Sequence, residues 1–491
     1  MSCYALRMAR AALLLFMAAC SAAPSQTPND AGPSLDASVE ADASTPDVIE
    51  PLEASAPPRA DVPAIACNDA VGDVYVTPTL PTMTNAARGD VFRCAPDATY
   101  PLSSVQGLVA AKGLTTAMTS GVSTYRIAFR TWRSTGAAGA STARVYLPSS
   151  PRALPIPVLV AAHPTDGIAD ATAPSMDATS NEDLALPWAG LGYAIIVPDY
   201  AGLGNEGVQG YLDNHDQAYS VLDGARALRN FLAAGALSSQ VAIIGYSQGG
   251  GAALSAQALA SSYGAGGDVA AVAVFASEWP TRWGSFGFLS MFENPSELTI
   301  QTGISFNVVE VMRTYSYFSN WVGSTHADDA YPTAQRTSFD GAINSLSQVP
   351  LGGFLQANAL HVGDFIDDAF RTSLLACIQN GESDSGCVAP GKGYFDFVNK
   401  DQVIPDSSGA PVLYVQGLAD YVMPAPSEAA CNIAYLENHG VTPQVCVDPA
   451  AQHETVVGRN MDFVIPWVQA RLAGTESPTC TTSGVMPPCI P

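Results

Sequence analysis

Val241-Ala242-Ile243-Ile244-Gly245-Tyr246-Ser247-Gln248-Gly249-Gly250-Gly251 is an apolar run that ends in Gly-x-Ser-x-Gly and passes into a small-residue helical stretch, Ala252 to Ala260. A strand that feeds a strained turn of this kind lifts one serine hydroxyl above a sheet, and the flanking glycines are required where a Cβ would strike neighbouring backbone. Ser247 is the candidate nucleophile. A serine needs a base, and the base needs a carboxylate to orient it. Six histidines are available, and the expected chain order is serine, then acid, then histidine. Pro411 to Gly417 reads as a buried strand with Asp420 just past its end, which makes Asp420 the candidate acid. Pro443 to Val447 reads as the next strand, and the loop Asp448 to Gln452 delivers His453, the candidate base, before an amphipathic helix over 456–472. Asp448 is the rival to Asp420. His439 also follows the acid but sits in Asn438-His439-Gly440, where a helix from Pro426 ends in a glycine cap, so it reads as a helix-end cation.

Acyl transfer also needs two backbone N–H groups for the developing oxyanion. The residue after the nucleophile, Gln248, supplies one. The strand Ile156 to Ala162 runs into His163-Pro164-Thr165-Asp166-Gly167, and Thr165 is the choice for the second, with Asp166 the alternative. Pro164 has no N–H to give. His163 reads as a structural imidazole that pins this turn, and Asp199, which precedes Ser247, as a structural turn residue.

Four stretches resemble the secretory lipases, the lipase A-like branch of the α/β-hydrolases: Tyr125 to Thr131, the loop from His163, Val197-Pro198-Asp199-Tyr200-Ala201-Gly202-Leu203-Gly204, and Gly245 to Gly250. The likeness extends over roughly residues 70 to 473, with Pro164 standing where the family usually has Gly. It implies an ester hydrolase with a cap inserted between nucleophile and acid. The expected fold class is α/β, an α/β-hydrolase with a mostly parallel central sheet, helices on both faces and an inserted, mainly helical cap. The residues support the same reading: Tyr193 to Val197 is a further buried strand, Gln217 to Leu232 a crossover helix, and Val269 to Phe275 another strand. From about Pro280 to Asp406 the alternation stops, and large apolar side chains recur at near-helical spacing: Trp283, Phe286, Phe288, Phe292, Phe306, Val308, Val309, Met312, Tyr315, Tyr317, Phe318 and Trp321. Most must form the cap's own core, while a minority are expected to line an acyl channel over Ser247.

Arg7 and Arg10 precede an apolar stretch, Ala11 to Ala19, too short to span a membrane in the mature protein, which reads as an export signal. It ends at Cys20 in a context like a bacterial lipobox, so lipidation of Cys20 is expected; ordinary cleavage near Ser21-Ala22-Ala23 is the alternative. Residues 21–66 contain no aromatic side chain and carry a net charge of minus seven, the composition of a disordered tether. The expected layout is a signal at 1–20, a tether at 21–66, a catalytic domain at 67–279 and 407–473, a cap at 280–406 and a disulfide-bearing tail at 474–491. The exported protein is thus read as a bacterial outer-membrane or cell-surface lipoprotein, or else as secreted.

With 45 acidic against 21 basic residues, a nucleic acid partner is excluded on charge. The expected partner is a small-molecule or lipid ester, with a membrane contacted only through the lipid anchor. Eight cysteines beyond Cys20 suggest disulfides, and close spacing favours 67 with 94, 377 with 387, 431 with 446 and 480 with 489. No Cys-x-x-Cys occurs and His453-Glu454 lacks the second histidine of a zincin helix, so neither metal nor cofactor is expected. The residues point to a serine ester hydrolase, lipase or carboxylesterase. An acyltransferase or a serine peptidase would use the same triad, and a surface binding protein on a retired scaffold is the reading from outside enzymology.

Overall fold

The computed structural model describes residues 58–177, 181–281, 304–422, 426–480 and 484–489. The signal with Cys20, the tether as far as residue 57, Trp283, Phe286, Phe288 and Phe292, and the side chain of Phe306 lie outside the described residues.

Among the described residues, nine strands form one sheet: β1 (Val91–Tyr100), β2 (Val122–Trp132), β3 (Ala138–Pro148), β4 (Ile156–Ala162), β5 (Ile195–Pro198), β6 (Leu237–Tyr246), β7 (Asp268–Phe275), β8 (Val412–Gly417) and β9 (Gln444–Asp448). Their order is β1-β2-β3-β5-β4-β6-β7-β8-β9. The first three strands run antiparallel, β3 pairs antiparallel with β5, and every pair from β5 to β9 is parallel. Parallel pairing buries both faces, which is why these strands are continuous apolar runs.

The helices of the sheet domain are α1 (Leu102–Ala111), α2 (Glu182–Gly190), α3 (Asn214–Phe231) and α4 (Gln248–Tyr263). Between β7 and β8 come the cap helices α5 (Ile304–Tyr317), α6 (Arg336–Ile343), α7 (Gln348–Asn358), α8 (Asp368–Asn380) and α9 (Gly391–Lys400), and after β8 come α10 (Pro426–Asn438) and α11 (Val456–Leu472). Alternate strand residues feed two cores. Val160, Ile243 and Val274 pack with α3, α4 and α10 on one face, and Leu159, Ala242 and Ala273 pack with α1, α2 and α11 on the other.

The crossover helix α3 begins three residues earlier than its apolar pattern indicates, because the Asp213 carboxylate accepts from Asp216 N–H and caps it. The described apolar residues Val308, Val309, Met312, Tyr315, Tyr317 and Phe318 are buried in a cluster with Phe370, Tyr394 and Phe397 of the cap and with Ile168, Tyr211 and Leu212 of the sheet domain. Trp321 is half-buried, its indole N–H bonded to Asp213 and its ring under Lys400.

Two expectations are corrected. The tether does not reach residue 66, since Ala60 is fully buried in the α3–α4 core and Ala64 N–H bonds to Phe231 O at 2.9 Å. Ala60 and Ile65 at its end pack against the core, which composition averaged over the stretch conceals. The disulfides join Cys67 to Cys94 and Cys377 to Cys387 as expected, but Cys431 to Cys489 and Cys446 to Cys480. Cys446 on β9 faces the α11 core while α10, which carries Cys431, packs on the opposite face, so the sheet separates the two. The tail passes the β9 edge, Gln444 Nε2 donating to Pro478 O, and reaches one cysteine on each side.

Burial pushes several carboxyls up: Asp199 and Asp223 to about 6, Asp213 and Glu310 to about 7, and Glu278 to about 8. Unfolded, such groups lose their protons near pH ~4, so above that the folded state holds more protons and stability falls as pH rises through the folded values. His163, pushed down to about 4 by burial, works the opposite way, but only below about pH 6.5. The melting temperature is therefore expected to be several degrees lower at pH ~8.5 than at pH ~6.5. A flat or rising value over that interval would contradict these buried acids.

Candidate active site

Strand β6 ends at Tyr246, and Ser247 turns at φ 54°, ψ −121°, a backbone state that a residue with a side chain adopts only under strain. The turn is held by Ser247 N–H donating to Phe275 O at 3.0 Å and by Ser247 O accepting from Gly250 N–H at 2.8 Å. Helix α4 starts at the next residue. It comes so close to the sheet that a Cβ on Gly245 would lie 2.1 Å from Gly249 O, and one on Gly249 would lie 1.9 Å from Ala162 O. Glycine is the one residue that fits either position.

The structure brings Ser247, His453 and Asp420 together across a sequence span of more than two hundred residues. His453 Nε2 lies 3.0 Å from Ser247 Oγ, and its Nδ1 lies 2.9 Å from Asp420 Oδ2. With the ring proton on Nδ1 donated to the carboxylate, Nε2 is an acceptor for the serine hydroxyl. Asp420 is fixed in turn: its Oδ1 accepts from Val422 N–H at 3.0 Å and its Oδ2 from Gln416 Nε2 at 3.4 Å. His453 opens a short 3-10 turn after β9, and Tyr246 OH donates to its carbonyl at 2.9 Å. All three residues are buried, Ser247 and His453 each 7% exposed, which leaves the serine within reach of a substrate and largely shielded from water.

The rivals stand elsewhere. Asp448 is bound by Arg459 at 2.8 Å, which holds its carboxyl below the usual range. His439 Nδ1 donates to Tyr435 O at 2.8 Å, at the end of α10. Asp199 accepts from Thr142 Oγ1 at 2.7 Å, from Ser175 N–H at 2.8 Å and from Ser175 Oγ, bonds that tie the loop after β5 to β3.

The loop from His163 begins beside the start of α4, since β4 pairs with β6 with Ala162 opposite Gly245. His163 is fully buried against Tyr200, ring centroids 4.3 Å apart, and its Nδ1 donates to Pro164 O at 2.6 Å, so it pins the turn as a neutral ring. Thr165 Oγ1 is bonded to Tyr211 OH at 2.9 Å. Asp166 O accepts from Gln348 N–H at 2.8 Å, which ties the loop to α7 of the cap. Burial, with help from the charges of Asp199 and Asp177, pushes the Asp166 carboxyl up to about 7. Gln248 is fully buried, and its side-chain amide donates to Gln217 Oε1 at 2.9 Å. These partners, Tyr211 and Gln217, were missed in the sequence because each lies in a different element from the residue it supports. Glu278, three residues past β7 and bonded through its N–H to Ser247 O at 2.9 Å, was missed as well. Its only signal is a carboxylate between a buried strand and Trp279.

Among the described residues, Asp213, His215 and Asp401 offer atoms close enough to hold a cation. They are already satisfied by one another and by backbone: Asp401 accepts from Asn214 N–H at 2.7 Å and from His215 Nδ1 at 2.8 Å. Burial and the charge of Asp401 push Asp213 up to about 7.

Residues 178–277, which contain β5, α3, β6, α4 and β7, match the family model described as secretory lipase. No curated protein sequence matches the chain. Among solved structures, lipase A from Candida antarctica has a TM-score of 0.57 at 17% identity, over 82% of this chain and 86% of that one. The rice cell wall degrading esterase LipA from Xanthomonas oryzae has a TM-score of 0.59 at 16% identity, over 79% of this chain and 99% of that one. At that identity the likeness is one of fold, and the fold is the expected one. The matched segment is similar to the secretory lipases, and the mostly parallel nine-stranded sheet around it has the α/β-hydrolase fold.

Proposed function

We propose that the protein is a serine ester hydrolase, a lipase or carboxylesterase working through an acyl-enzyme. The observation that supports this is the run of hydrogen bonds from Ser247 Oγ through the His453 ring to Asp420, set at a strained turn over a helix N-terminus. His453 Nε2 takes the hydroxyl proton as Ser247 Oγ attacks the ester carbonyl. Asp420 holds the ring in the required tautomer and stabilises its positive charge without itself taking the proton. The backbone N–H of Gln248, at the first position of α4, and that of Thr165 are assigned to the oxyanion, with Asp166 as the alternative donor. His453 then passes the proton to the leaving alcohol, and water reverses the sequence to release the acid.

Strain at Ser247 serves this chemistry because it points the hydroxyl away from the helix and toward the ring. Each oxyanion donor is worth roughly 3 kcal/mol of barrier in such sites. The four disulfides of the described residues fit an oxidising compartment, and we read the chain as exported. No helix of the described residues is long and apolar enough to cross a membrane.

A fluorophosphonate probe is expected to label the protein at Ser247, and Ser247→Ala to abolish both labelling and turnover. Ester hydrolysis that persisted in purified Ser247→Ala would remove the mechanism. His453→Ala is expected to lower kcat by on the order of 10⁶ and Asp420→Asn by about 10⁴, with little change in melting temperature. If His439→Ala were the inactivating change and His453→Ala mild, the base would be misassigned. The intact mass of the mature protein decides the anchor: a diacylated first residue at Cys20 is expected, and an unmodified chain starting after Ala23 would show plain secretion.

A further inference from the structure

The loop after β4 carries an assigned oxyanion donor but has no regular structure of its own. Residues 163–167 form neither helix nor strand, and among the described residues the Thr165 N–H has no hydrogen-bond partner. A donor left free in this way suits an oxyanion, but its position then has to come from elsewhere, since a displacement of about 1 Å can cost on the order of a hundredfold in rate. Thr165 is held by its side chain instead: Oγ1 meets Tyr211 OH at 2.9 Å. Tyr211 belongs to the segment between β5 and α3, and it lies in the apolar cluster that also contains Val308 and Met312 of α5.

Burial settles which hydroxyl donates. Tyr211 is 1% exposed, and Thr165 Oγ1 is the one partner of its hydroxyl among the described residues. Were Thr165 the donor, the phenolic proton would be buried without an acceptor, a state that native folds avoid. Tyr211 therefore donates, and the half-buried threonine keeps its own proton for substrate or water. The tyrosine is anchored from the cap side as well. Its N–H donates to Ser316 Oγ at 2.9 Å, and Ser316 Oγ donates to Gln209 O at 2.6 Å. Ser316 stands on α5, so a continuous run of bonded groups leads from that helix through Tyr211 to Thr165.

We propose that Tyr211 is a positioning residue for ester hydrolysis: its hydroxyl fixes Thr165 where the oxyanion develops, and its bond to Ser316 makes that arrangement depend on the cap. The inference rests on the ester-hydrolase reading above. A group that acts in this way supports the tetrahedral state and leaves ground-state binding nearly untouched, so its loss lowers kcat and spares KM. The experiment measures kcat and KM on p-nitrophenyl butyrate together with the inhibition constant of hexyl trifluoromethyl ketone. In the adduct Ser247 Oγ bonds to the ketone carbon, the hydroxyl proton passes to His453, and the carbonyl oxygen becomes the tetrahedral oxyanion.

Tyr211→Phe, which removes one hydroxyl, is expected to lower kcat about tenfold and to weaken the ketone by the same factor, with KM changed less than about twofold and the melting temperature lowered by no more than a few degrees. Thr165→Val is expected to act alike and Thr165→Ser to keep the rate. The double variant Tyr211→Phe with Thr165→Val is expected to be no slower than Thr165→Val alone, because both changes break one bond. Ser316→Ala is expected to give a smaller loss of the same kind, and no loss there would overturn the link to the cap. Should Tyr211→Phe fail to fold, Thr165→Val against Thr165→Ser reads the same bond. Losses that multiply in the double variant would overturn the proposal, as would a Tyr211→Phe protein that loses activity through KM or melting temperature with ketone affinity unchanged. A wild-type protein that neither hydrolyses the ester nor binds the ketone would overturn the ester-hydrolase reading and the proposal with it, whereas wild-type hydrolysis that Tyr211→Phe leaves intact overturns the proposal alone.

Discussion

Helix α4 meets the ends of β4 and β6 at a distance that no Cβ tolerates, with Gly249 against Ala162 O and Gly245 against Gly249 O. That contact forces the chain through an uncommon backbone state at Ser247, and the rest of the site is arranged around the position it gives one hydroxyl. The strain persists because the parallel sheet on either side over-determines it: β7 holds Ser247 N–H through Phe275 O, and Ser247 O gathers the N–H groups of Gly250 and Glu278. The same approach sets the first residue of α4 beside the loop from His163. The backbone N–H groups proposed as oxyanion donors thus belong to segments that the sheet itself positions.

Around this turn, support comes from several elements, each anchored in a different core. Asp420 follows β8 and His453 follows β9, and the pairing of these two strands sets the spacing of acid and base. Leu418 N–H bonds to Asp448 O at 3.0 Å and Ala419 N–H to Ala451 O at 3.1 Å, so the two delivering loops are tied to each other before the side chains meet. The disulfides of the tail work on the same edge, because Cys446–Cys480 and Cys431–Cys489 cover β9 from both faces. An edge strand that carries the base would otherwise be the least restrained part of the sheet.

The cap meets the sheet domain through polar groups as well as apolar ones. Asp401 at the end of α9 accepts the N–H groups of Asn214 and His215, Asp166 O accepts from Gln348 N–H, and Tyr211 joins Thr165 to Ser316. The described apolar residues of α5 pack into a core that the cap shares with Ile168, Tyr211 and Leu212 of the sheet domain.

Local pattern carried the tight turn at Ser247 and the strands that end before Asp420 and His453, because strand ends and glycine contacts are dictated within a few residues of chain. The fold class followed from continuous apolar runs alternating with helical stretches, since only a sheet covered on both faces asks for them. Pairings across the molecule were not legible. Which cysteines join depended on which face of β9 each reached, and the end of the tether is held by the burial of Ala60 and the bond from Ala64 N–H to Phe231 O, which no composition reveals. Nor could spacing show that Glu310 and Arg313 on α5 are buried along with Val308, Met312 and Phe318. A helix of mixed polarity offers two faces, and only the neighbours it finally packs against decide which one meets the site.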